Sequence, residues 1–350
     1  MLVLLLALTA SAINVEQVHV ASGSDPSTAT FAWSTRFNCS SSTVRIGESP
    51  CNSTSCLTQY FFGNSTLLAT GNNSQYIHKV PVKVQPKNYT YQVGCILGWS
   101  ELFTYQAPNQ HNHSTFIVYG DLSTAASGKA TWESVTSFVG KEYVDAILHV
   151  GDISYDLFDD DNRHGDDYMN TIQPVASRIP YMVIAGNHEK GDKYQSYDSR
   201  FAMPGNNFYT TYTIGQVRFV GIDTEYIISA GKLTQPTLAF LKTILNRSEE
   251  DKAQFPWLIV MGHRPLYCCA RHLFYCTADA AVMRSVLEDL FYSAGVDLYI
   301  NGHLHDYQRT TPVYRGNPIN TPLDIEFGYG NAEAPIYVTT GGPGNDEPQV

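Results

Sequence analysis

Five stretches of this chain share one pattern: an apolar run that reads as a buried strand, then a tip of oxygen- or imidazole-bearing side chains. The most informative is His149-Val150-Gly151-Asp152-Ile153-Ser154-Tyr155, entered from Ala146-Ile147-Leu148. Gly151 lets the backbone turn sharply, so Asp152 projects from the strand end and Tyr155 follows in a loop. The other tips are Gly120-Asp121, Gly186-Asn187-His188-Glu189, Val260-Met261-Gly262-His263 and Gly302-His303-Leu304-His305. One strand-ending aspartate would be read as a turn cap. The recurrence points instead to a parallel sheet, whose ligands bind beyond the carboxyl ends of its strands.

The segments between the tips agree. Residues 115–119 read as a strand and 130–141 as a helix, with Trp132, Val135 and Phe138 at helical spacing. A strand to Val150, a helix over 167–177 and a strand over 181–185 complete a β-α-β-α-β unit. An antiparallel pair is expected at 208–212 and 216–222, helices at 234–247 and 281–293, and strands at 257–260, 297–300 and 335–340. The front of the chain differs. Short alternating strands with no competing helical period predict a β-sandwich over residues 13–108, with Trp33 in its centre. His19 and His78 read as strand residues there, and the polar stretch 109–114 reads as a linker.

A length of 350 residues admits two such domains, and a net charge of −11 argues against non-specific nucleic-acid binding. Residues 2–9 are apolar but too few to span a bilayer, and Ala10-Ser11-Ala12 has the form of a cleavage site, so residues 1–12 read as a signal peptide. Glycosylation sequons at Asn38, Asn52, Asn64, Asn72, Asn88, Asn112 and Asn246 fit a secreted or extracellular protein, with a lysosomal destination as a variant. No later run is long enough for a membrane anchor. Export favours disulfides. Cys39, Cys51, Cys56 and Cys95 allow three pairings, and Cys268 is paired with Cys276, leaving Cys269 over.

Collected, the tips offer Asp121, Asp152, Tyr155, Asn187, His263, His303 and His305. One mononuclear site rarely needs so many ligands, but two sites sharing Asp152 would use them all. Phenolate with carboxylates favours a trivalent ion, whereas amide oxygen with imidazoles suits divalent zinc, iron or manganese. A metal pair can clamp a phosphate and generate hydroxide near neutral pH. Its charge would dominate locally, so the site would attract phosphate despite the net charge of −11.

The blocks Gly120-Asp121-Leu122-Ser123, Gly151 to Tyr155, Gly186 to Glu189, Val260 to His263 and Gly302 to His305 resemble the purple acid phosphatases of the metallophosphoesterase superfamily. The resemblance covers nearly the whole chain and extends, in the loop around Cys268, to the animal long-form members. It implies an α/β fold: an N-terminal fibronectin type III-like β-sandwich, then a four-layer α/β/β/α catalytic domain over 115–350. By the same resemblance Asp121, Asp152, Tyr155 and His305 hold Fe(III), and Asp152, Asn187, His263 and His303 hold the divalent ion. His188 faces the substrate phosphate, and His272 contacts phosphate or protonates the leaving group. Ser123, Leu273 and Gln308 depart from the common pattern. The chain ends at Val350, before the family's last strands, which predicts a catalytic domain truncated at its C-terminus with 335–340 as an unpaired edge.

The expected activity is hydrolysis of small phosphate monoesters at acid pH by metal-bound hydroxide. The rival readings are a phosphodiesterase or nucleotide pyrophosphatase on the same centre, and an inactive glycosylated adhesion protein. His149 reads as a hydrogen-bonded core residue, and His111, His113 and His164 read as surface.

Overall fold

The computed structural model describes residues 14–109, 113–269, 274–319, 323–324, 328–345 and 347. The front of the chain forms eight strands: β1 (Val15–Ser22), β2 (Thr28–Thr35), β3 (Ser42–Glu48), β4 (Gln59–Leu68), β5 (Gln75–Lys83), β6 (Asn88–Cys95), β7 (Gly98–Trp99) and β8 (Phe103–Gln106). They pair antiparallel in the order β1-β2-β5-β4-β3-β6, with β7 and β8 sharing the far edge of β6. Val18, Phe31, Val44, Tyr91 and Tyr105 form one buried cluster, and the Phe31 ring meets Tyr91 edge-on at 4.7 Å. Strands that are not neighbours in the sheet thus meet across one core. Trp33 is fully buried there and stacks on His78 with ring centroids 4.9 Å apart. Disulfides join Cys39 to Cys95 and Cys51 to Cys56, which settles the pairing that spacing left open. A third joins Cys268 to Cys276, with Cys269 free and exposed. Asn38, Asn52, Asn64, Asn72, Asn88 and Asn246 are all exposed, whereas Asn112 lies outside the described residues.

The rest is mixed α/β. Strands β9 (Phe116–Tyr119), β10 (Ala146–Val150) and β11 (Tyr181–Ile184) form a parallel sheet in the order β11-β10-β9, linked by α1 (Ala126–Lys141) and α2 (Arg163–Ala176). After α3 (Gln195–Arg200) come β12 (Tyr209–Ile214), β13 (Val217–Ile222), α4 (Glu225–Ala230), α5 (Gln235–Ile244), α6 (Glu249–Gln254), β14 (Trp257–Met261), α7 (Phe274–Ala294), β15 (Leu298–Asn301) and β16 (Tyr307–Arg309). Two small hairpins follow, β17 (Val313–Tyr314) with β18 (Asn317–Pro318) and β19 (Leu323–Asp324) with β20 (Gly328–Tyr329), before β21 (Ile336–Thr340). The second sheet runs β12-β13-β14-β15-β21-β16.

Period-two alternation explains how the sheets stack. On β13 and β14, Phe219 and Met261 join the cluster that also holds Trp132 of α1, Ile172 of α2 and Leu148 of β10. Their neighbours Val220 and Val260 face the opposite way, into a cluster with Leu241 of α5 and Met283 and Leu287 of α7. Both faces of the second sheet are therefore covered, one by the first sheet and the other by helices.

Three expectations need correction. The strand at 335–340 is not an edge: β21 pairs in parallel with β15 and antiparallel with β16, which ends that side of the sheet among the described residues. Phe138 does not face the core of α1, being 45% exposed. Val139 takes that position, because Trp132, Val135 and Val139 are the residues spaced for one helical face. Helix α7 starts at Phe274 rather than near 281. Its buried stripe of Cys276, Ala280, Met283 and Leu287 opens with a cysteine and an alanine, which read weakly as core.

The antiparallel sheet is bolted to the α/β part by one carboxylate. A bulge at Gln17 (φ +61) interrupts the β1–β2 register and sends its side chain to Asp166 on α2. Asp166 Oδ1 accepts from Gln17 (3.0 Å), Gln75 (2.6 Å) and Arg200 (2.8 Å), and Oδ2 from Arg36 and Asn73 (both 2.9 Å). Carbonyls at the end of α3 are satisfied from the same sheet: Lys79 Nζ donates to Asp198 O and Phe201 O, and His19 hydrogen-bonds to Arg200 O.

Asp166→Ala would leave the Arg200 guanidinium, only 1% exposed, without its counter-charge. The expected loss is about 3–5 kcal/mol of unfolding free energy in urea, with Asp166→Asn losing less. His149 supplies a second prediction. Its Nδ1 hydrogen-bonds to the Tyr168 and Tyr181 hydroxyls (3.0 and 2.8 Å), and burial pulls its pKa down from 6.5 to about 3. The stability it carries is complete above pH 6.5 and is lost as pH falls towards 3, because the unfolded chain then binds a proton that the folded chain excludes. The limiting slope is about 1.4 kcal/mol per pH unit. Urea unfolding of His149→Gln should lose stability less steeply than wild type over that range.

Candidate metal centre

The tips meet where the two sheets abut. Asp121 follows β9, Asp152 and Tyr155 follow β10, and Asn187 and His188 follow β11, all from the first sheet. His263 follows β14, and His303 and His305 follow β15, from the second. His263 crosses the seam: its Nδ1 donates to Val150 O (3.0 Å), while Nε2 lies 3.1 Å from both Asp152 Oδ2 and Asn187 Oδ1. With Nδ1 committed, Nε2 is the nitrogen left for a cation. Around Asp121, the Tyr155 hydroxyl lies 3.4 Å from Oδ1 and 3.0 Å from His305 Nε2, which is itself 3.4 Å from Asp121 Oδ1. The His303 N–H donates to both Asp121 oxygens (3.0 and 2.8 Å). The His303 and His263 rings are 5.1 Å apart.

Such proximity has a backbone cost. Asp121, Asp152, Tyr155 and His303 all sit at positive φ (60, 50, 56 and 70°), a region that costs a non-glycine residue about 1–3 kcal/mol. Glycines make the remaining room. A Cβ on Gly151, itself at φ +90, would lie 2.4 Å from His263 Nδ1. A Cβ on Gly302 would lie 2.1 Å from Asp121 Oδ2.

The donor set fits bound cations. Asp152, His263 and His303 can each point one ligating atom so that all lie within 4.8 Å of one another, and Asp121, Tyr155 and His305 adjoin them. Asp121 and Asp152 are 0% and 1% exposed, and buried carboxylates persist only when paired or metal-bound. Burial raises the Asp121 carboxyl. Burial would raise Asp152 too, but His263 and His188 outweigh it and hold Asp152 well below the usual carboxylate range. The reciprocal effect lifts His263 to about 10: burial opposes it, and Asp152 wins. That proton on His263 stands where a metal ion would place its charge.

Several residues that shape the site were not singled out from the sequence. Glu189 is 2% exposed and accepts three backbone N–H groups, from Gly186 (2.7 Å), Asp152 (3.0 Å) and Ile153 (2.8 Å). It staples the β11 tip to the β10 tip. Burial, and then Asp152, push its carboxyl up to about 8, against those donors. Arg264 makes a bidentate pair with Glu225 (2.7 and 2.8 Å), reaches Asp279 (3.0 Å) and contacts His303 Nε2 (2.6 Å). Asp156 lies 3.1 Å from His188 Nδ1, and Asp152 Oδ1 accepts the His188 N–H (3.0 Å). Glu189 stands inside the Gly186 to Glu189 tip and Arg264 and Asp156 each adjoin one, whereas Glu225 and Asp279 lie near none in sequence. His272 lies outside the described residues.

Comparison with known proteins bears on the family and the fold. The calcineurin-like phosphoesterase family profile matches residues 114–307. Acid phosphatase type 7 of Homo sapiens is 33% identical over 348 residues, covering 95% of this chain and 78% of that protein. The Danio rerio protein of the same name is 33% identical over 332 residues, covering 85% and 74%. The solved structure of a purple acid phosphatase from yellow lupin (Lupinus luteus) seeds is similar in fold, with a TM-score of 0.79 at 23% identity. That match covers 95% of this chain, which spans 65% of the lupin chain.

Glu189→Gln places an amide donor opposite a backbone donor in either orientation of the side chain. It should cost about 1–3 kcal/mol and lower the melting temperature in metal-free buffer above pH 8, where the Glu189 carboxyl is ionised. A variant that melts with wild type would show that the Glu189 carboxylate does not hold the two tips together.

Proposed function

Because this chain belongs to the calcineurin-like phosphoesterases and, within them, to the purple acid phosphatases, we propose that its centre hydrolyses phosphate monoesters at acid pH on a ferric ion and a divalent ion. Asp121, Asp152, Tyr155 and His305 would hold the ferric ion, and Asp152, Asn187, His263 and His303 the divalent zinc, iron or manganese. Such a pair would clamp the phosphate and supply the attacking oxygen. The observation that carries the reading is Asp152, a buried carboxylate at the seam with His263 on one oxygen and the His188 backbone on the other.

The chain's own residues account for binding. His188 has Nδ1 anchored on Asp156 and its ring against Tyr155 at 4.5 Å, so Nε2 is the nitrogen proposed to take a phosphate oxygen. Burial would lower its pKa, but Asp152 and Asp156 outweigh burial, and the net shift is upward. The imidazole therefore keeps its proton at acid pH, as an anion-binding group should. His272 is proposed as leaving-group acid on its motif position alone. The front sheet is proposed to be a fibronectin type III-like sandwich. Exposed sequons and three disulfides support a secreted or extracellular glycoprotein acting on small phosphorylated substrates.

The test is metal analysis of the purified protein together with turnover of an aryl phosphate monoester and a diester. The expected result is iron plus a divalent ion, preference for the monoester, and a visible band that Tyr155→Phe abolishes while the fold is kept. A colourless, iron-free, active protein would refute the ferric assignment, and preference for the diester would refute the substrate class.

A further inference from the structure

The segment after β21 turns back over the centre. The Gly341 N–H donates to Asp306 O (3.1 Å), and the Ser123 N–H donates to Gly344 O (3.0 Å). The Ser127 hydroxyl also reaches Gly344 O (3.4 Å), and the Thr131 hydroxyl donates to Pro343 O. Residues 341–345 are thus laid along the start of α1, just beyond the Asp121 tip, with Asn345 buried. This track delivers Glu347 to the mouth of the site. Its Oε1 lies 3.1 Å from His188 Nε2 and its Oε2 3.9 Å from His305 Nε2. Because Nδ1 of His188 is held by Asp156, Glu347 covers the nitrogen that faces the open site.

We propose that Glu347 is an anionic gate on the phosphate subsite, its carboxylate occupying the position of a phosphate oxygen on His188 until a phosphate displaces it. The inference rests on the reading of His188 as the phosphate-facing residue. Carboxylate and phosphate are both acceptor-only anions, so one imidazole N–H cannot serve both. The Glu347 side chain is 48% exposed, so it can leave the site without opening a packed core. Phosphate affinity is then reduced by the fraction of molecules in which the gate is open. Glu347 takes no part in attack on phosphorus, so the gate governs entry and not turnover at saturation.

The experiment uses Glu347→Gln, which keeps the shape and removes the charge, and Glu347→Ala, both with their natural metals. KM for an aryl phosphate, Ki for inorganic phosphate, kcat and metal content are measured. Phosphate binding to the metal-free proteins is followed by calorimetry. KM and Ki should fall roughly 5-fold in both variants, the change expected if the gate is open in about one wild-type molecule in five and always open in the variants, with kcat and metal content unchanged. Unchanged KM and Ki in both variants would overturn the gate. So would loss of metal, which would make Glu347 a ligand, and so would a lower kcat at unchanged KM, which would make it a support for His188. Wild-type protein that neither binds nor is inhibited by phosphate would overturn the reading of His188 as well. Phosphate competition in wild type that the variants leave unaltered would sink the gate alone.

Discussion

One imidazole joins the two sheets at the candidate metal centre. His263 rides on β14 of the second sheet, yet its ring is fixed by Val150 and Asp152 at the end of β10 in the first. Apolar packing alone, such as Phe116 against Phe219 at 5.0 Å, would hold the sheets together without setting their offset to a fraction of an ångström. The His263 contacts depend on that offset, and so do Asp121 with His303 and Asp121 with His305. A ligand set drawn from two sheets is only as exact as their mutual position.

The antiparallel sheet contributes to that position from a distance. Asp166 opens α2, directly after the loop that carries Tyr155 and Asp156. Arg200 closes α3, which follows the tip bearing His188. Gln17, Arg36, Asn73 and Gln75 hold Asp166, and His19 and Lys79 hold the end of α3. The elements that the front sheet grips are thus the continuations of two site loops. This is a mechanical reason for the sheet to accompany a centre to which it gives no ligand.

The tip residues were legible because each side chain needs a strand to carry it and a turn to release it, and both leave a pattern in sequence. Asp121, Asp152, Asn187, His263 and His303 follow that rule. Glu189 shows its limit: its motif was visible, but whether the carboxylate turns outward to a ligand or inward to three N–H groups depends on a short helical turn, not on residue type. The Asp166 network was hidden for another reason. It joins residues as much as 183 positions apart, Gln17 and Arg200, and no periodicity links Gln17 to α2. The neighbours of β21 were missed because β16 has only three residues, too few to display an alternation. Phe138 misled by its size, since volume marks a residue as core only when the helical phase agrees.

The left-handed conformations of Asp121, Asp152, Tyr155 and His303 set stability against function. Each would be relieved by glycine, which adopts positive φ freely, and the buried charge of both aspartates would vanish as well. Drift towards a firmer fold therefore runs through the loss of the very residues that make the centre. A descendant freed from selection for turnover would become inert while growing more robust, and it would keep its outline, its disulfides and its packed sheets. In this architecture a durable fold is weak testimony to a working site, and the improbable backbone angles are the better witness.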